Sequence, residues 1–318
     1  MRAVVDFLKK AVDREGQGGC YVFKGGMVYA NGHEFKAGAP FKLGADANLP
    51  AAEVEAVLGR MSGEPAVKIK DGVITMTQGR LRQTMRSVPG ADDFEQTELG
   101  ESGWLPAPAR FAEALHCAAK FVGERGWVAC VRLGNGRITA ITNRAGIDIE
   151  LPAFAMDADA LISGGAATYI AENGPEHYRV RPAPDGQPNS MLFKWGSGQW
   201  LRAQFIQDKF QDVDRLFADR DGMVRYAVDD ELRAAWADAA AVTEQPVVLL
   251  HDRFMAYRTG SVVEVAAKTG LPKGHQSKWM KEVLDLVMPL AEWWDPTGYP
   301  ESCRFGGAGF RGVFLGIK

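Results

Sequence analysis

Gly79–Phe94, GRLRQTMRSVPGADDF, reads as a strand that runs straight into an acidic junction. Gly79-Arg80-Leu81-Arg82 opens it, and Pro89-Gly90-Ala91-Asp92-Asp93-Phe94 closes it. The same order returns at Gly198-Gln199-Trp200-Leu201-Arg202, followed by Asp208-Lys209-Phe210-Gln211-Asp212-Val213. An echo at the same place in two stretches of matched pattern is the mark of an internal repeat.

Working outward from the first copy, the pattern is helix, strands, helix, strands. Val4, Val5, Leu8, Ala11 and Val12 recur at helical spacing over Ala3–Arg14. Short strands follow at Cys20–Phe23, Met27–Ala30 and Glu34–Leu43, the last broken by Gly38 and Pro40. Pro50–Met61 is a second helix striped by Val54, Val57, Leu58 and Met61. Val67–Lys70 and Val73–Met76 flank Asp71-Gly72, a strong hairpin signal, and Arg80–Val88 completes the unit. In the second copy the helices are predicted at Pro106–Val122 and Asp157–Glu172. Its strands are predicted at Trp127–Leu133, Arg137–Thr142, Ile147–Leu151, Met191–Trp195 and Gln199–Ile206. In the third they are Asp229–Val242 and Gln276–Leu290, with strands at Val247–Leu250, Arg253–Tyr257, Val262–Ala266, Cys303–Phe305 and Phe310–Ile317. The 318 residues alone suggest about two domains. The repeat instead predicts an α+β chain of three tandem copies, each two helices beside an antiparallel sheet, divided as 1–98, 99–213 and 214–318.

Composition narrows the chemistry. Hydrophobic residues make up 46% and charged residues 24%, as in water-soluble globular proteins. The N-terminal Met1-Arg2-Ala3-Val4-Val5-Asp6 lacks a secretory apolar region, and no run is long enough to span a bilayer, so a cytoplasmic chain is expected. The four cysteines (Cys20, Cys117, Cys130, Cys303) form no C-x-x-C pair, and the five histidines are scattered. No metal and no cofactor is therefore expected. Nucleophile-elbow, zinc-protease and P-loop motifs are missing. Only Asp208, Asp212 and Asp214 would carry an enzymatic reading, and they look like a turn-forming linker.

Repeats that share sheet edges either extend indefinitely or close, and closure removes the exposed edges. In a ring lined by helices the polar faces point inward. Candidates for that lining are Lys9, Lys10 and Arg14, then Arg110, Lys120 and Arg125, then Lys273, Lys278 and Lys281. Such a lining suits a nucleic-acid backbone held by charge without base reading. The same residues also read as solvated helix faces, because Asp6, Asp13, Glu113, Glu124, Glu282 and Asp285 are interspersed and the net charge is −3.

The chain resembles the bacterial-type DNA sliding clamp, the β subunit of DNA polymerase III, over essentially its full length. The carrying stretches are Gly79–Phe94, Ile138–Leu151 (ITAITNRAGIDIEL) and Gln199–Leu216 (QWLRAQFIQDKFQDVDRL), with a weaker match at Gly312–Lys318 (GVFLGIK). The resemblance implies three similar domains per chain, paired head to tail into a closed ring around duplex DNA. Its divergence fits a phage or mobile-element origin. It also implies a partner-peptide cleft at Thr142, Ile147, Gln211, Arg215, Leu216, Phe314, Leu315 and Gly316. There this chain departs from the family: the Asp-Gly-His-Arg loop reads Asn143-Arg144-Ala145-Gly146, the junction proline is Gln211, and the Met/Pro-rich tail is Phe-Leu-Gly-Ile. The homodimer contact implied by the resemblance involves Arg80, Arg82 and Met85 against Val242 and Glu264.

The function so implied is a non-enzymatic processivity factor, with duplex DNA, a DNA polymerase, a separate clamp loader and a second copy as partners, and no membrane. The alternative is a clamp-fold binding module or decoy that sequesters clamp-interacting proteins without encircling DNA.

Overall fold

The computed structural model describes residues 2–13, 19–89, 99–182, 188–300 and 303–317. The turns set the local order. At Asp71-Gly72 both residues are left-handed (φ 51° and 71°), the twist-matched turn that lets adjacent strands pair directly.

In chain order, α1 (Arg2–Leu8) precedes β1 (Cys20–Lys24), β2 (Met27–Asn31), β3 (Phe35–Pro40) and β4 (Ala47–Pro50). Next, α2 (Ala51–Arg60) leads to β5 (Ala66–Lys70), β6 (Val73–Gln78), β7 (Leu81–Arg86) and β8 (Leu105–Pro106). Then α3 (Phe111–Ala119) is followed by β9 (Cys130–Gly134), β10 (Arg137–Ile141), β11 (Ala145–Glu150) and β12 (Ala160–Ser163). After α4 (Gly164–Asn173) come β13 (His177–Pro182), β14 (Pro188–Lys194), β15 (Trp200–Gln204) and a 3₁₀ turn at Asp214–Phe217. β16 (Tyr226–Ala227) and α5 (Asp230–Ala241) lead to β17 (Val247–Leu250), β18 (Arg253–Arg258), β19 (Ser261–Ala266) and β20 (Gln276–Trp279). Finally, α6 (Lys281–Val287) precedes β21 (Trp293–Asp295), β22 (Cys303–Gly307) and β23 (Phe310–Phe314).

These elements form two compact units, Met1–Ala112 with Thr168–Phe205, and Glu113–Ala167 with Ile206–Lys318. In the first unit, an eight-stranded antiparallel sheet runs β4-β1-β2-β3-β15-β14-β13-β8. Side chains alternate between its faces. On one face Phe35 stacks on Tyr169 at 5.0 Å, and Phe7 of α1 meets Tyr169 and Trp195. On the other, Val22, Tyr29, Leu192 and Trp200 form a cluster covered by Leu99 and Trp104. Gly38 sits in the middle of β3 because a Cβ there would overlap the Trp200 indole. A separate three-stranded sheet, β5-β6-β7, buries Ile74, Met76 and Met85.

In the second unit, the eight-stranded sheet runs β12-β9-β10-β11-β23-β22-β21-β16. Residues 145–149 of β11 are all buried, so this part of the sheet is covered on both faces. Trp279, Trp294, Phe305 and Phe314 fill one side. Gly312 lies opposite Ile147, where a Cβ would overlap the Phe305 ring. A four-stranded sheet, β19-β18-β17-β20, packs Phe254 against Trp236 of α5. That helix is capped by Asp229, whose carboxylate accepts from Leu232 N at 2.8 Å.

One strand order recurs three times: β4-β1-β2-β3, β12-β9-β10-β11 and β20-β17-β18-β19. β3 is paired with β15 and β11 with β23, whereas β19 is the edge of its sheet and β7 the edge of another. The α+β architecture with large antiparallel sheets is thus as expected. Each eight-stranded sheet joins strands from two of the sequence-defined segments 1–98, 99–213 and 214–318.

Several local expectations are corrected. The helix expected over Asp157–Glu172 is a strand, β12, followed by a helix that starts at Gly164. The helix expected over Gln276–Leu290 begins with strand β20 and is helical only from Lys281 to Val287. Gly38 and Pro40 belong to β3 and do not break it. Trp127 lies in a 3₁₀ turn ahead of β9. Among the described residues, no helix is long and apolar enough to cross a membrane.

Candidate functional site

The second acidic junction of the sequence crosses the face of the second unit's large sheet opposite the Phe314 core. Register fixes which side chains it meets. Ile141 pairs with Gly146 and Gly146 with Val313, so these three positions share one face of β10, β11 and β23. Val213 and Phe217 of the junction pack on Ile141 and Val313, with Trp127, Val128 and Phe210 at the margin. Trp127 meets Phe210 edge-on at 5.0 Å, and the Arg132 guanidinium lies over the Phe210 ring at 5.6 Å.

Two leucines beside this cluster remain open. Leu216 is 43% exposed and Leu315 36% exposed. Arg215 and Gln211 flank the first on the solvent side. Arg144 flanks the second and is tied to it by its carbonyl, which accepts from Leu315 N at 2.8 Å. Thr142 shapes the intervening loop. Its hydroxyl accepts from Arg144 N (3.1 Å) and Ala145 N (2.8 Å) and donates to the Ala145 carbonyl (3.0 Å). Gly316 N donates to the Pro300 carbonyl at 2.9 Å, and its Cα lies against the Tyr299 ring. The result is an apolar surface with a preformed backbone and two protruding leucines, the kind of groove into which a peptide anchors a few side chains.

Five of the eight cleft residues expected from the sequence therefore lie at or beside this surface, Thr142, Gln211, Arg215, Leu216 and Leu315, whereas Gly316 packs on Tyr299, whose ring meets Trp279 of the Phe314 core. The other two are corrected. Ile147 and Phe314 are fully buried on the opposite face, where Phe314 packs on Trp279 and Trp294. The reason is strand parity, because Gly146 and Val313, one residue away, carry the face that the junction covers. Sequence reasoning missed Trp127, Phe210, Val213, Phe217, Ile141 and Val313. The signal was present: Phe210, Val213 and Phe217 recur at three- and four-residue steps within an otherwise polar junction.

The junction carboxylates do not converge. Asp208 Oδ1 accepts from Lys209 N at 2.8 Å, and Asp212 Oδ1 from Asp214 N at 3.2 Å. Asp214 turns instead toward two arginines, Arg132 and Arg137. Burial works against the charge on Arg137, but the Asp148 and Asp214 carboxylates outweigh it and hold its pKa above the ordinary value. Burial pushes the Cys303 thiol up to about 12, and Cys130 is likewise buried. Among the described residues, no group of three or more His, Cys, Asp or Glu could hold a metal ion.

The candidate DNA-facing cations fall in both units. Lys9 and Lys10 are exposed at the end of α1, where Lys9 pairs with Asp6 at 3.0 Å and Lys10 with Glu172. Exposed pairs of this kind are worth little and exchange readily with other anions. Arg14 lies outside the described residues. Arg110, Lys120 and Arg125 are exposed around the ends of α3, and Lys273 and Lys278 are exposed near and on β20, which is a strand. Lys281, on α6, is partly buried and held by Asp285 at 2.8 Å.

For the proposed self-contact, Arg82 is exposed on β7 together with Thr84 and Arg86, while Arg80 lies in the preceding turn and not on the strand. Met85 is corrected: it points into the core at 1% exposure, because strand alternation puts it opposite the arginine face. On the other sheet, Glu264 is exposed on edge strand β19, where it pairs with Arg253 at 2.6 Å. Val242 is the half-buried C-cap of α5.

No protein-family model and no curated protein sequence matches the chain. Solved structures do. A Pseudomonas aeruginosa sliding clamp (DNA polymerase III subunit beta) bound to griselimycin superposes with a TM-score of 0.77 at 13% identity, covering 100% of this chain and 97% of that one. A Helicobacter pylori β clamp bound to a DNA ligase peptide gives 0.75 at 8% identity, with the same coverage. The DNA polymerase III β subunit of Thermotoga maritima gives 0.76 at 14%, covering 100% and 96%. Sequence and structure thus agree on one conclusion: from end to end, this chain has the fold of the bacterial DNA polymerase III β sliding clamps.

Proposed function

We propose that the protein is a processivity clamp: two copies close into a ring around duplex DNA and tether a DNA polymerase and other partners through the junction surface. The observation that carries this reading is the match in fold over 100% of the chain to β clamps. The free edges supply the physical reason for closure. Within the chain, β3 joins β15 and β11 joins β23, and among the described residues β19 and β7 are the strands of the same kinds left without that joint. Pairing β19 of one copy with β7 of another would complete it and cover two exposed edges. Val242 and Glu264 on one side and Arg80 and Arg82 on the other flank that contact. A ring that cannot leave DNA sideways needs only weak, sequence-independent attraction to phosphate, which Lys9, Lys10, Arg110, Lys120, Arg125, Lys273 and Lys278 supply. No reaction is assigned to the chain itself, and opening the ring falls to a separate loader driven by ATP.

That a protein of this fold takes a peptide is supported by the H. pylori β clamp bound to a DNA ligase peptide, and we place that role here on the Leu216–Leu315 surface. The test is retention on nicked circular DNA after loading. The expected result is retention that survives moderate salt and is lost when the circle is linearised. Retention that ignores linearisation would contradict encirclement. Peptide binding without any retention would favour a decoy that sequesters clamp-binding proteins.

A further inference from the structure

The junction segment is fastened to its sheet by an alternating chain of six charges that is not contiguous in sequence. It begins at Asp159, whose carboxylate Oδ2 accepts from Arg132 Nε at 2.8 Å and pairs with Nη2 at 2.5 Å. Arg132 Nη1 reaches Asp214 Oδ1 at 3.4 Å. Asp214 also accepts from Arg137, with Nη2 to Oδ1 at 3.1 Å and Nη1 to Oδ2 at 3.2 Å. Arg137 turns its Nε and Nη2 to Asp148 Oδ1 at 3.0 and 2.9 Å, and Thr139 Oγ1 donates to the same oxygen at 2.8 Å. Asp148 Oδ2 accepts from Arg311 Nε and Nη2 at 3.2 and 3.1 Å. Acid and base alternate from Asp159 through Arg132, Asp214, Arg137 and Asp148 to Arg311.

Only Asp214 in this chain belongs to the junction; the others lie on or beside the sheet strands. It sits one residue after Val213 and two before Leu216. Arg132, besides bonding Asp214, lies over Phe210, so one guanidinium holds the segment at two points. The bonds are charge-assisted and forked, which fixes direction as well as distance. The apolar anchors Val213 and Phe217 give the segment adhesion. They do not by themselves fix its rotation about its own axis, which decides where Leu216 points.

We propose that Asp214 is the positioning residue of the partner-peptide surface: through Arg132 and Arg137 it locks residues 210–217 in the one orientation that presents Leu216 beside Leu315. This rests on the peptide-cleft reading of the same surface. Without the lock, the segment samples other orientations, and apparent affinity falls in proportion to the competent fraction.

The test uses the full-length protein and the variants Asp214→Asn and Asp214→Glu, first by amide hydrogen exchange without any ligand. Asp214→Asn is expected to lose about tenfold or more of the protection across 210–217, with β17–β19 unchanged. Asp214→Glu, which keeps the carboxylate, is expected to restore most of it. In the parent, raising salt is expected to speed exchange in this segment, and in Asp214→Asn to leave it flat. Unchanged protection in Asp214→Asn overturns the proposal. Should that variant lose protection everywhere, Arg132→Gln, which cuts the same chain from the sheet side, takes its place and must meet the same criterion. The second measurement is affinity for the ligase-type clamp peptide, expected to weaken about three- to tenfold in Asp214→Asn. A parent that does not bind this peptide overturns the cleft reading, while the exchange data still judge the lock. A peptide bound equally by the parent and a loosened Asp214→Asn overturns the positioning role.

Discussion

Replacing Asp148 with Asn tests how much of the second unit depends on one buried charge. The carboxylate is 2% exposed and accepts from Arg137, Arg311 and Thr139. Asparagine has the same shape, so no cavity forms and the electrostatic part is isolated. Its carbonyl can keep the bonds from Thr139 and Arg137. Its amide then faces the Nε and Nη2 of Arg311, donor against donor, and the negative charge between two guanidinium groups is gone. A hydrogen bond to a charged group is worth about 1.5–3 kcal/mol, and one partner, Arg311, is 44% exposed and screened by solvent. The expected loss is therefore about 2–3 kcal/mol. Alanine, which also strands Arg137 and Thr139, is expected to cost about 3–5 kcal/mol. For a unit of this size each kcal/mol moves the melting point by about 2–4 °C. Calorimetry should resolve a drop of about 4–12 °C in the transition of the second unit, with that of the first unmoved. A loss below about 0.5 kcal/mol for Asn would refute the reasoning, because it would mean that the two arginines are satisfied by solvent and not by Asp148.

Three further outcomes are expected. Leu216→Ala with Leu315→Ala should weaken binding of a clamp peptide at least tenfold, read by fluorescence anisotropy, while the mass in solution stays that of the parent. Unchanged affinity would exclude this surface. Replacing Arg80 and Arg82 with Glu should shift the protein toward monomer in light scattering, and the parental mass would count against the β7 contact. Stability should also fall with acid at His275. Its ring accepts or donates at Ser277 Oγ (2.9 Å), which in turn receives Trp279 Nε1–H (2.9 Å), and burial lowers its pKa below the usual value near 6.5. The unfolded chain therefore takes up the proton first, so stability is retained above about pH 6.5 and lost as pH falls below it. His275→Gln should remove that part of the pH dependence of denaturant midpoints, and an unaltered profile would assign it elsewhere.

What could be read from the sequence followed the strength of the local signal. Pro50–Met61 announces α2 through its apolar stripe, and Asp71-Gly72 announces a hairpin by backbone chemistry alone. Ala160–Ser163 and Gln276–Trp279 were absorbed into neighbouring helices because four-residue strands are too short to show a period. Gly164-Gly165 marks where α4 begins, inside the longer helix expected over Asp157–Glu172. Leu105–Pro106 and Tyr226–Ala227 are two-residue strands that exist only because a sheet edge accepts them. At the site, the tail and the junction were brought together by resemblance, yet Ile147 and Phe314 fell on the wrong face, since a one-residue error in a strand reverses every side chain. The charges from Asp159 to Arg311 are not legible in the sequence, because pairing among β12, β9, β10, β11 and β23 and the junction crossing that sheet bring them together, and nothing local does.

The central claim is closure, and it is tested most directly by determining molar mass in solution together with particle images of the same sample. Twice the mass of one chain and closed rings with a twofold axis and an open centre are expected. A monomeric mass at micromolar concentration, or open arcs that never close, would contradict it.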